Sequence, residues 1–163
     1  PMSRGLGDVY KRQIEESKGR VIFTSFASNL GRLKIIAEAG EKSGRSIAVF
    51  GRAMNNMLSK ALETSIFTDF PTLIDSRKAH MVPRENLLVI ATGSQGEIRA
   101  ASAQLSRGKY MGLELEDGDT FVFSSKTIPG NEISVNRVIN NLSDKGVEVK
   151  YSDDREFLSL IHI

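Results

Sequence analysis

The chain has 163 residues, of which 40% are hydrophobic and 26% are charged, with a formal net charge of +2. Its length is that of one domain, and the lack of cysteine excludes a disulfide framework and a thiolate metal site. No apolar run approaches the roughly 18 residues that a transmembrane helix needs. We therefore expect one globular domain without membrane contact, in a reducing, cytoplasmic compartment.

The positive charge is concentrated at the amino terminus. Residues 1–13 account for the whole net charge of +2, so the rest of the chain is formally neutral. A basic surface elsewhere would have to arise from clustering in the fold. Residues 1–13 show no helical or strand periodicity, and 158–163 is an apolar stub. We interpret both segments as non-native-looking tails that flank a domain of residues 14–157.

Short apolar runs alternate with amphipathic segments between these ends. Strands are predicted at 20–26, 46–50, 87–91, 120–123 and 147–151. Helices are predicted at 30–40, 52–62, 97–107 and 131–145. The proline-containing stretch 65–85 is predicted to be a loop with short helical turns. This alternation is typical of an α/β fold, with a parallel, Rossmann-like sheet of about five strands and helices on both faces.

Small polar residues follow each of the first four predicted strands. The carboxyl ends of parallel strands share one edge of the sheet, where open α/β folds bind ligands. Hydroxyl groups, helix N-terminal N–H groups and guanidinium groups suit phosphate, and a nucleic-acid backbone offers phosphate repeatedly. The candidate RNA- and phosphate-binding residues are Ser25, Ser28, Asn29, Arg32, Arg52, Thr92, Gly93, Ser94, Gln95, Gly96, Glu97, Ser124, Ser125, Pro129, Gly130 and Asn131.

A purely structural interpretation of these residues is open as well. Ser28 or Asn29, and also Asn131, are typical helix N-caps, and the glycines suit tight turns. Taken singly, each loop is explained by such capping and turn chemistry. Gln95 and Ser125 are not needed for capping, which favours a shared binding edge when the loops are considered together.

Several catalytic patterns are missing from the sequence. Its two histidines are His80, predicted to lie on the surface of a loop, and His162, in the carboxyl-terminal tail. No His-x-His-x-Asp-His motif, phosphate loop or Ser–His–Asp arrangement is visible, so we predict no catalytic residue, metal ligand or cofactor site in this chain. Four basic residues are predicted to be ordinary solvated charges: Lys42, Arg45, Arg77 and Lys78.

Four motifs, in order and spacing, resemble the β-CASP domain of bacterial ribonuclease J. They are FTSFASNLxR at 23–32, VxGRAM at 49–54, ATGSQGE at 91–97 and FSSxxIPGNExxVNR at 123–137. The resemblance covers roughly residues 14–157. It implies a domain that is inserted in a metallo-β-lactamase fold. This inserted domain would close over RNA and help to form the groove and the pocket for the 5′ end.

The resemblance also implies the character of a longer parent enzyme. Two metal ions, usually zinc, would activate a water that hydrolyses RNA phosphodiesters in the lactamase part. The parent would be a cytoplasmic, homo-oligomeric 5′→3′ exonuclease and endonuclease in RNA processing and decay. Because the ligand motifs are missing here, we interpret the chain as an internal fragment that is inactive alone. The alternatives are a nucleotide- or phosphate-binding α/β module without a nuclease role, and a non-binding interaction domain.

Overall fold

A computed structural model describes residues 2–67 and 69–151, and within them five parallel strands form one sheet. The strands are β1 (Val21–Thr24), β2 (Ser46–Phe50), β3 (Leu87–Ala91), β4 (Thr120–Phe123) and β5 (Glu148–Tyr151). Their order across the sheet is β2-β3-β1-β4-β5, with every neighbouring pair parallel. This confirms the predicted α/β fold with about five parallel strands.

Helices cover both faces of the sheet, as predicted. They are α1 (Met2–Glu16), α2 (Leu30–Lys42), α3 (Arg52–Glu63), α4 (Ala101–Arg107) and α5 (Glu132–Asp144). One apolar cluster joins α1, α2 and α3 to one face of the sheet, and a second joins α4 and α5 to the other. Since both faces are covered, β1, β3 and β4 are buried along their whole length and read as continuous apolar runs.

The order of the strands creates a switch in chain direction between β1 and β4. The chain leaves β1 towards β2 at one end of the sheet, and it leaves β4 towards β5 at the other. Thr24 is paired in register with Ala91 of β3 and Phe123 of β4, so these three strands end at the same level. Such a switch point opens a crevice outside the carboxyl ends of the strands, which is where ligands bind in open α/β sheets.

The expectation that residues 1–13 lack helical periodicity is wrong. Residues 2–13 belong to α1, in which Tyr10 is fully buried and packs edge-to-face on Phe23 with ring centroids 5.1 Å apart. Leu6, Tyr10 and Ile14 recur every four residues, which is helical spacing. Gly5 and Gly7 obscured this signal because glycine disfavours helix interiors. The non-native origin of this segment stays a prediction.

The rest of the chain agrees with the prediction at one point and differs from it at another. The stretch 65–85 contains two short 3₁₀ helices, Ser76–Met81 and Arg84–Asn86, in agreement with the predicted helical turns. The helix predicted at 97–107 begins only at Ala101. Residues 158–163, the other predicted tail, lie outside the described residues. Within the described residues, no helix is both long and apolar enough to cross a membrane.

Candidate nucleic-acid interface at the carboxyl edge

Four loops leave the sheet at the carboxyl ends of β1 to β4. They are 25–29, 51–52, 92–100 and 124–131, and together we call them the carboxyl edge. Because the four strands are parallel and end level with one another, all four loops begin at the same edge of the sheet. Fifteen of the sixteen candidate residues lie in these loops, and Arg32, in the first turn of α2, is bonded to Ser124 of the fourth loop, so we count it with the carboxyl edge. RNA contact by these residues stays a prediction.

Gln95 joins the two loops that follow β3 and β4. Its Nε2 donates to the carbonyl oxygen of Lys126 at 2.9 Å, and its Oε1 accepts from the backbone N–H of Ile128 at 2.7 Å. The same oxygen also accepts from Asn131 Nδ2 at 3.3 Å. Gln95 is only 5% exposed, so its amide is used to connect the loops and does not project from the surface.

Arg32 joins the start of α2 to the loop after β4. Asn29 is the N-cap of α2, since its Oδ1 accepts from the backbone N–H of Arg32 at 3.1 Å. The guanidinium Nη1 of Arg32 donates to the carbonyl oxygen of Ser124, and the Ser124 hydroxyl donates to the carbonyl oxygen of Thr24. The prediction that Asn29 is an N-cap is therefore confirmed. The other two bonds cross the switch point between β1 and β4, so one nitrogen of the Arg32 guanidinium is already used within the protein.

The glycines of the carboxyl edge are required by close packing. Gly96 has a φ of +74°, and a Cβ built on it would lie 2.5 Å from the carbonyl carbon of Ser134 in α5. Gly93 has a φ of +107°, and its Cβ would lie 2.6 Å from that of Ala100. Both conditions exclude other side chains. The turn interpretation accounts for these two residues without any ligand.

Thr92 explains why α4 begins late. Its carbonyl oxygen accepts from the N–H of Ser102 at 3.0 Å, and its Oγ1 accepts from the N–H of Ala101 at 3.4 Å. The Ser102 hydroxyl in turn donates to the carbonyl oxygen of Gly93 at 2.8 Å. The loop 92–100 is thus folded back on the first turn of α4, a tertiary contact that helix propensity does not report.

Three hydroxyl groups beneath the carboxyl edge have no hydrogen-bond partner within the described residues. They belong to Thr24, Ser25 and Ser94, which are 0%, 1% and 2% exposed. A buried polar group without a partner costs about 1–3 kcal/mol, so native structures contain few of them. All three lie at the ends of β1 and β3, the end of the sheet from which the four loops leave.

Other candidate residues differ in exposure. Ser28, Arg52, Glu97, Pro129 and Gly130 are exposed, whereas Ser125 is buried. Asn131 is the N-cap residue of α5, as predicted, but its side chain makes no capping hydrogen bond, and Gly51 at the start of α3 makes none either. The Asn131 amide is engaged with Gln95 instead.

The carboxyl edge carries a local excess of positive charge. When the first turns of the helices that follow the loops are included, its cations are Arg32, Arg52, Arg99 and Lys126. Its acids are Glu97 and Glu132, whose carboxylate accepts from the N–H of Gly130 at 2.8 Å. None of the four cations has an ion-pair partner within the described residues. Sequence reasoning missed Arg99 and Lys126, although both lie in loops that it had selected. Clustering in the fold thus supplies the basic surface that the nearly neutral composition could not reveal.

The opposite edge of the sheet holds a buried ionic cluster that sequence reasoning also missed. Asp119 is fully buried and accepts from Arg84 Nη2 at 2.9 Å, from the N–H of Arg20 at 2.8 Å and from the N–H of Glu116 at 2.9 Å. The hydrogen bond to Asp119 raises the pKa of Arg84 above its usual value. We call Arg20, Arg45, Arg84 and Asp119 the amino edge.

Arg45 belongs to this amino edge, so its prediction as a solvated charge is wrong. It is 8% exposed, and burial lowers the pKa of its guanidinium. Its two terminal nitrogens donate to five carbonyl oxygens, at distances from 2.7 to 3.5 Å: those of Ile14, Ser17, Gly19, Arg84 and Leu87. A planar fork of donors suits this task, which an ammonium could not fulfil.

The described residues do not fit a metal centre. Within 2–67 and 69–151, no group of three or more His, Cys, Asp or Glu side chains lies close enough to share an ion. His80 is exposed, in the first 3₁₀ helix, and His162 lies outside the described residues. The carboxyl edge offers donors for an anion, and we derive no metal-dependent step from it.

Comparison with known proteins gives a consistent family assignment. Residues 18–142 match the family model described as "Ribonuclease J, beta-CASP domain". Ribonuclease J 1 of Streptococcus pyogenes serotype M3 is 42% identical over 88% of this chain and 26% of its own length. Ribonuclease J of Sinorhizobium meliloti is 34% identical over 100% of this chain and 28% of its own length.

A third relative, ribonuclease J of Mycolicibacterium smegmatis, is 37% identical over 91% of this chain and 27% of its own length. The chain thus spans about a quarter of the length of these curated relatives. The match to the family model covers most of the chain, including the motifs at 91–97 and 123–137, and the fold agrees with the resemblance that those motifs predicted. The chain belongs to the ribonuclease J β-CASP domain family.

Proposed function

We propose that the carboxyl edge binds phosphates of RNA, and that this chain is the RNA-contacting β-CASP portion of a longer ribonuclease J. The family assignment supports a ribonuclease-related role. RNA is the polyanion that such an enzyme must hold, and the carboxyl edge is the positively charged, hydroxyl-rich side of the sheet. A phosphate backbone would engage several of its donors at once.

The observation that carries this proposal is the set of buried hydroxyls without partners. Thr24, Ser25 and Ser94 lie at the ends of neighbouring strands, and a phosphate seated above them would satisfy hydroxyl groups that the described residues leave unsatisfied. Arg52, at the same edge of the sheet, is exposed and has no ion-pair partner in the part of the chain that the structure describes. Hydroxyl groups and arginine are the usual contacts to phosphate oxygens in protein–nucleic acid complexes.

This chain and the remainder of a longer protein have different roles: RNA binding here, and hydrolysis elsewhere. Phosphodiester hydrolysis, with two zinc ions, belongs to a metallo-β-lactamase domain of the parent, because the described residues offer no fitting ligand group. The parent acts as a cytoplasmic 5′→3′ exonuclease and endonuclease and forms homo-oligomers. Here the chain's residues bind and orient RNA, and they take no part in proton transfer.

A mononucleotide- or phosphate-binding module is the second candidate. The switch point between β1 and β4 favours it, because mononucleotides bind at such crevices in other α/β sheets. The two functions differ in how affinity depends on ligand length. A mononucleotide site is saturated by one phosphate, whereas an RNA groove gains affinity from each further phosphate that it contacts.

Fluorescence anisotropy tests the proposal directly. The chain is titrated into a labelled, 5′-phosphorylated oligoribonucleotide, and uridine monophosphate is then added as competitor. We expect RNA binding that a large excess of the mononucleotide displaces poorly. Equal affinity for the two ligands would favour the mononucleotide module, and no binding of either would overturn the proposed function.

Two exposed cations at opposite edges give a matched pair of variants for this assay. Arg52→Ala, at the carboxyl edge, should weaken RNA binding and lower the slope of log affinity against log salt by about 0.7, the value for one single-strand phosphate contact. Lys18→Ala removes an exposed cation from the loop before β1 and should leave the slope unchanged. Equal effects of both variants would show nonspecific attraction.

Incubation with zinc or manganese tests whether this chain hydrolyses RNA without the remainder of the longer protein. We expect no ribonuclease activity from this chain with either metal, since a two-metal hydrolase needs several ligands for each ion. RNA is incubated with the chain and the metal, and the products are separated by gel electrophoresis. Cleavage that survives re-purification and is abolished by a chelator would contradict the expectation.

A further inference from the structure

We infer that Gln95 is a positioning residue that holds the turn 126–131, so that Lys126 contacts a phosphate of bound RNA. The inference rests on the proposed function and deepens it. It adds Lys126 as a binding residue and gives Gln95 a role that acts through Lys126.

The hydrogen bonds between the two loops all involve one side chain. Within the described residues, three hydrogen bonds join the loop after β3 to the loop after β4, and each uses the Gln95 amide. Their partners, Lys126, Ile128 and Asn131, span the whole turn. Replacing Gln95 would therefore release the turn from β3, while both strands remain in the sheet.

The backbone on either side of Lys126 is held by hydrogen bonds. The carbonyl oxygen of Ser124 is held by Arg32, and that of Lys126 itself is held by Gln95 at 2.9 Å. The N–H of Ile128 is held by Gln95 at 2.7 Å. The path of residues 124–128 is thus fixed at three points, which places the Cα of Lys126 at the carboxyl edge.

The Lys126 side chain is exposed and available to a ligand. It has no ion-pair or hydrogen-bond partner for its ammonium group within the described residues. It immediately follows Ser125, which is buried, and it is the one cation of the 124–131 loop. A lysine on a fixed backbone needs to order only its own side chain in order to bind a phosphate, which lowers the entropic cost of binding.

A purely structural role for Gln95 predicts a different result, and the difference can be measured. Gln95 is uncharged, so its removal cannot itself reduce the number of counterions that RNA releases on binding. A variant that is only less stable lowers the apparent affinity through the folded fraction and leaves the salt dependence unchanged. A loss of salt dependence in Gln95→Ala would mean that a cation elsewhere has moved out of reach of phosphate.

The experiment measures binding of the 5′-phosphorylated oligoribonucleotide at several salt concentrations for the whole chain and its variants. Lys126→Ala should lower the salt slope by about 0.7. Gln95→Ala should lower the slope by the same amount and the affinity about fivefold, the equivalent of one lost hydrogen bond or contact. The double variant should be no worse than the more severe single variant, because both remove the same contact.

Gln13→Ala is the matched control. Gln13 is buried like Gln95, and its amide also donates to a backbone carbonyl, that of Tyr151 at 3.3 Å, but this bond joins α1 to β5 and involves none of the four loops of the carboxyl edge. We expect wild-type slope and affinity from it. If Gln95→Ala does not fold, Gln95→Met keeps most of the side-chain volume without the amide, and the same result is expected from it.

The outcomes separate this inference from the proposed function. If the wild-type chain does not bind RNA, the proposed function and the inference fall together. If it binds and Lys126→Ala keeps the full slope, Lys126 is not a phosphate contact. If Lys126→Ala lowers the salt slope while Gln95→Ala and Gln95→Met keep it, the positioning role of Gln95 is wrong. The same conclusion follows if the losses of the two single variants add in the double variant. In both cases RNA binding by the chain stands.

Discussion

The two edges of the sheet use the same kind of residue in opposite ways. At the amino edge, Arg45 donates to five carbonyl oxygens and Arg84 is paired with the buried Asp119. At the carboxyl edge, Arg52 and Lys126 are exposed without ion-pair partners within the described residues. Buried polar atoms without hydrogen-bond partners within the described residues occur at both edges, but they differ in kind. They are the hydroxyls of Thr24, Ser25 and Ser94 at the carboxyl side, and the Nε atoms of Arg20 and Arg84 at the amino edge.

The direction of the chain explains this difference. In a parallel α/β fold, helices end near the amino edge, where their last carbonyl groups need donors, and they begin near the carboxyl edge, where their first N–H groups need acceptors. Arg45 accordingly bonds the carbonyl oxygens of Ile14 and Ser17 around the end of α1. The carboxyl edge has a surplus of donors that suits an anion. The amino edge should therefore govern stability, and the carboxyl edge binding.

The largest expected effect is that of Asp119→Ala at the amino edge. The change leaves the N–H groups of Arg20 and Glu116 without their acceptor and removes the partner of Arg84, whose side chain is 35% exposed. Since each buried donor left unpaired costs about 1–3 kcal/mol, we expect a loss of roughly 4 kcal/mol. Urea denaturation measures the loss in free energy of unfolding. Asp117→Ala removes an exposed carboxylate from the same loop and should change it little. Similar values for both variants would mean that the amino edge is not a stabilising cluster.

Tyr10→Ala tests whether α1 is part of the folded unit. Tyr10 is fully buried against Phe23, so its truncation should cost about 3 kcal/mol. Deletion of residues 1–13 should then lower the thermal midpoint by several degrees, contrary to what a non-packing tail predicts. Arg12→Ala, on an exposed position of the same helix, serves as the control. A deletion without thermal effect would show that α1 contributes nothing to stability.

Arg45→Lys should destabilise the chain by about 2 kcal/mol although it keeps the positive charge. One ammonium group cannot reach five carbonyl oxygens that surround a planar fork, and each lost hydrogen bond from a charged donor leaves a buried acceptor. Thermal unfolding followed by circular dichroism measures the change. Arg77→Lys, in an exposed ion pair with Asp75, should have little effect. If Arg45→Lys unfolded at the same temperature as the wild-type chain, the planar arrangement of donors would not matter for stability.

The smallest effect on stability is expected at the carboxyl edge, from Ser94→Ala. Its hydroxyl is buried and has no partner within the described residues, so its removal should not lower the free energy of unfolding. RNA binding should nevertheless weaken by about 1 kcal/mol. Ser102→Ala is the matched buried serine, and it should lose about 1 kcal/mol of stability because its hydroxyl is bonded to Gly93. If Ser94→Ala lost stability and kept its affinity, the division between the edges would be wrong.

Much of the fold and part of the site could be read from local patterns. Apolar runs of four or five residues alternate with helical spacing, and this sufficed for the five strands and for α2, α3 and α5. The family resemblance depended on the four motifs instead, and the family model agrees with it. The capping role of Asn29 was likewise visible, because an N-cap depends on residues close in sequence. The parallel arrangement then brought the candidate loops to one edge without any knowledge of side-chain contacts.

Contacts between distant residues were decided by the tertiary structure alone. Gln95 reaches Ile128 and Arg45 reaches Leu87, across 33 and 42 positions, and no local pattern encodes such partners. The same holds for the burial of Arg45 and Asp119, since charged residues are mostly exposed and only paired neighbours make burial tolerable. Residue type and spacing by themselves determined the sheet and its polar loops. Which of the polar groups are bonded internally, and which remain available to a ligand, was decided only when the chain was folded.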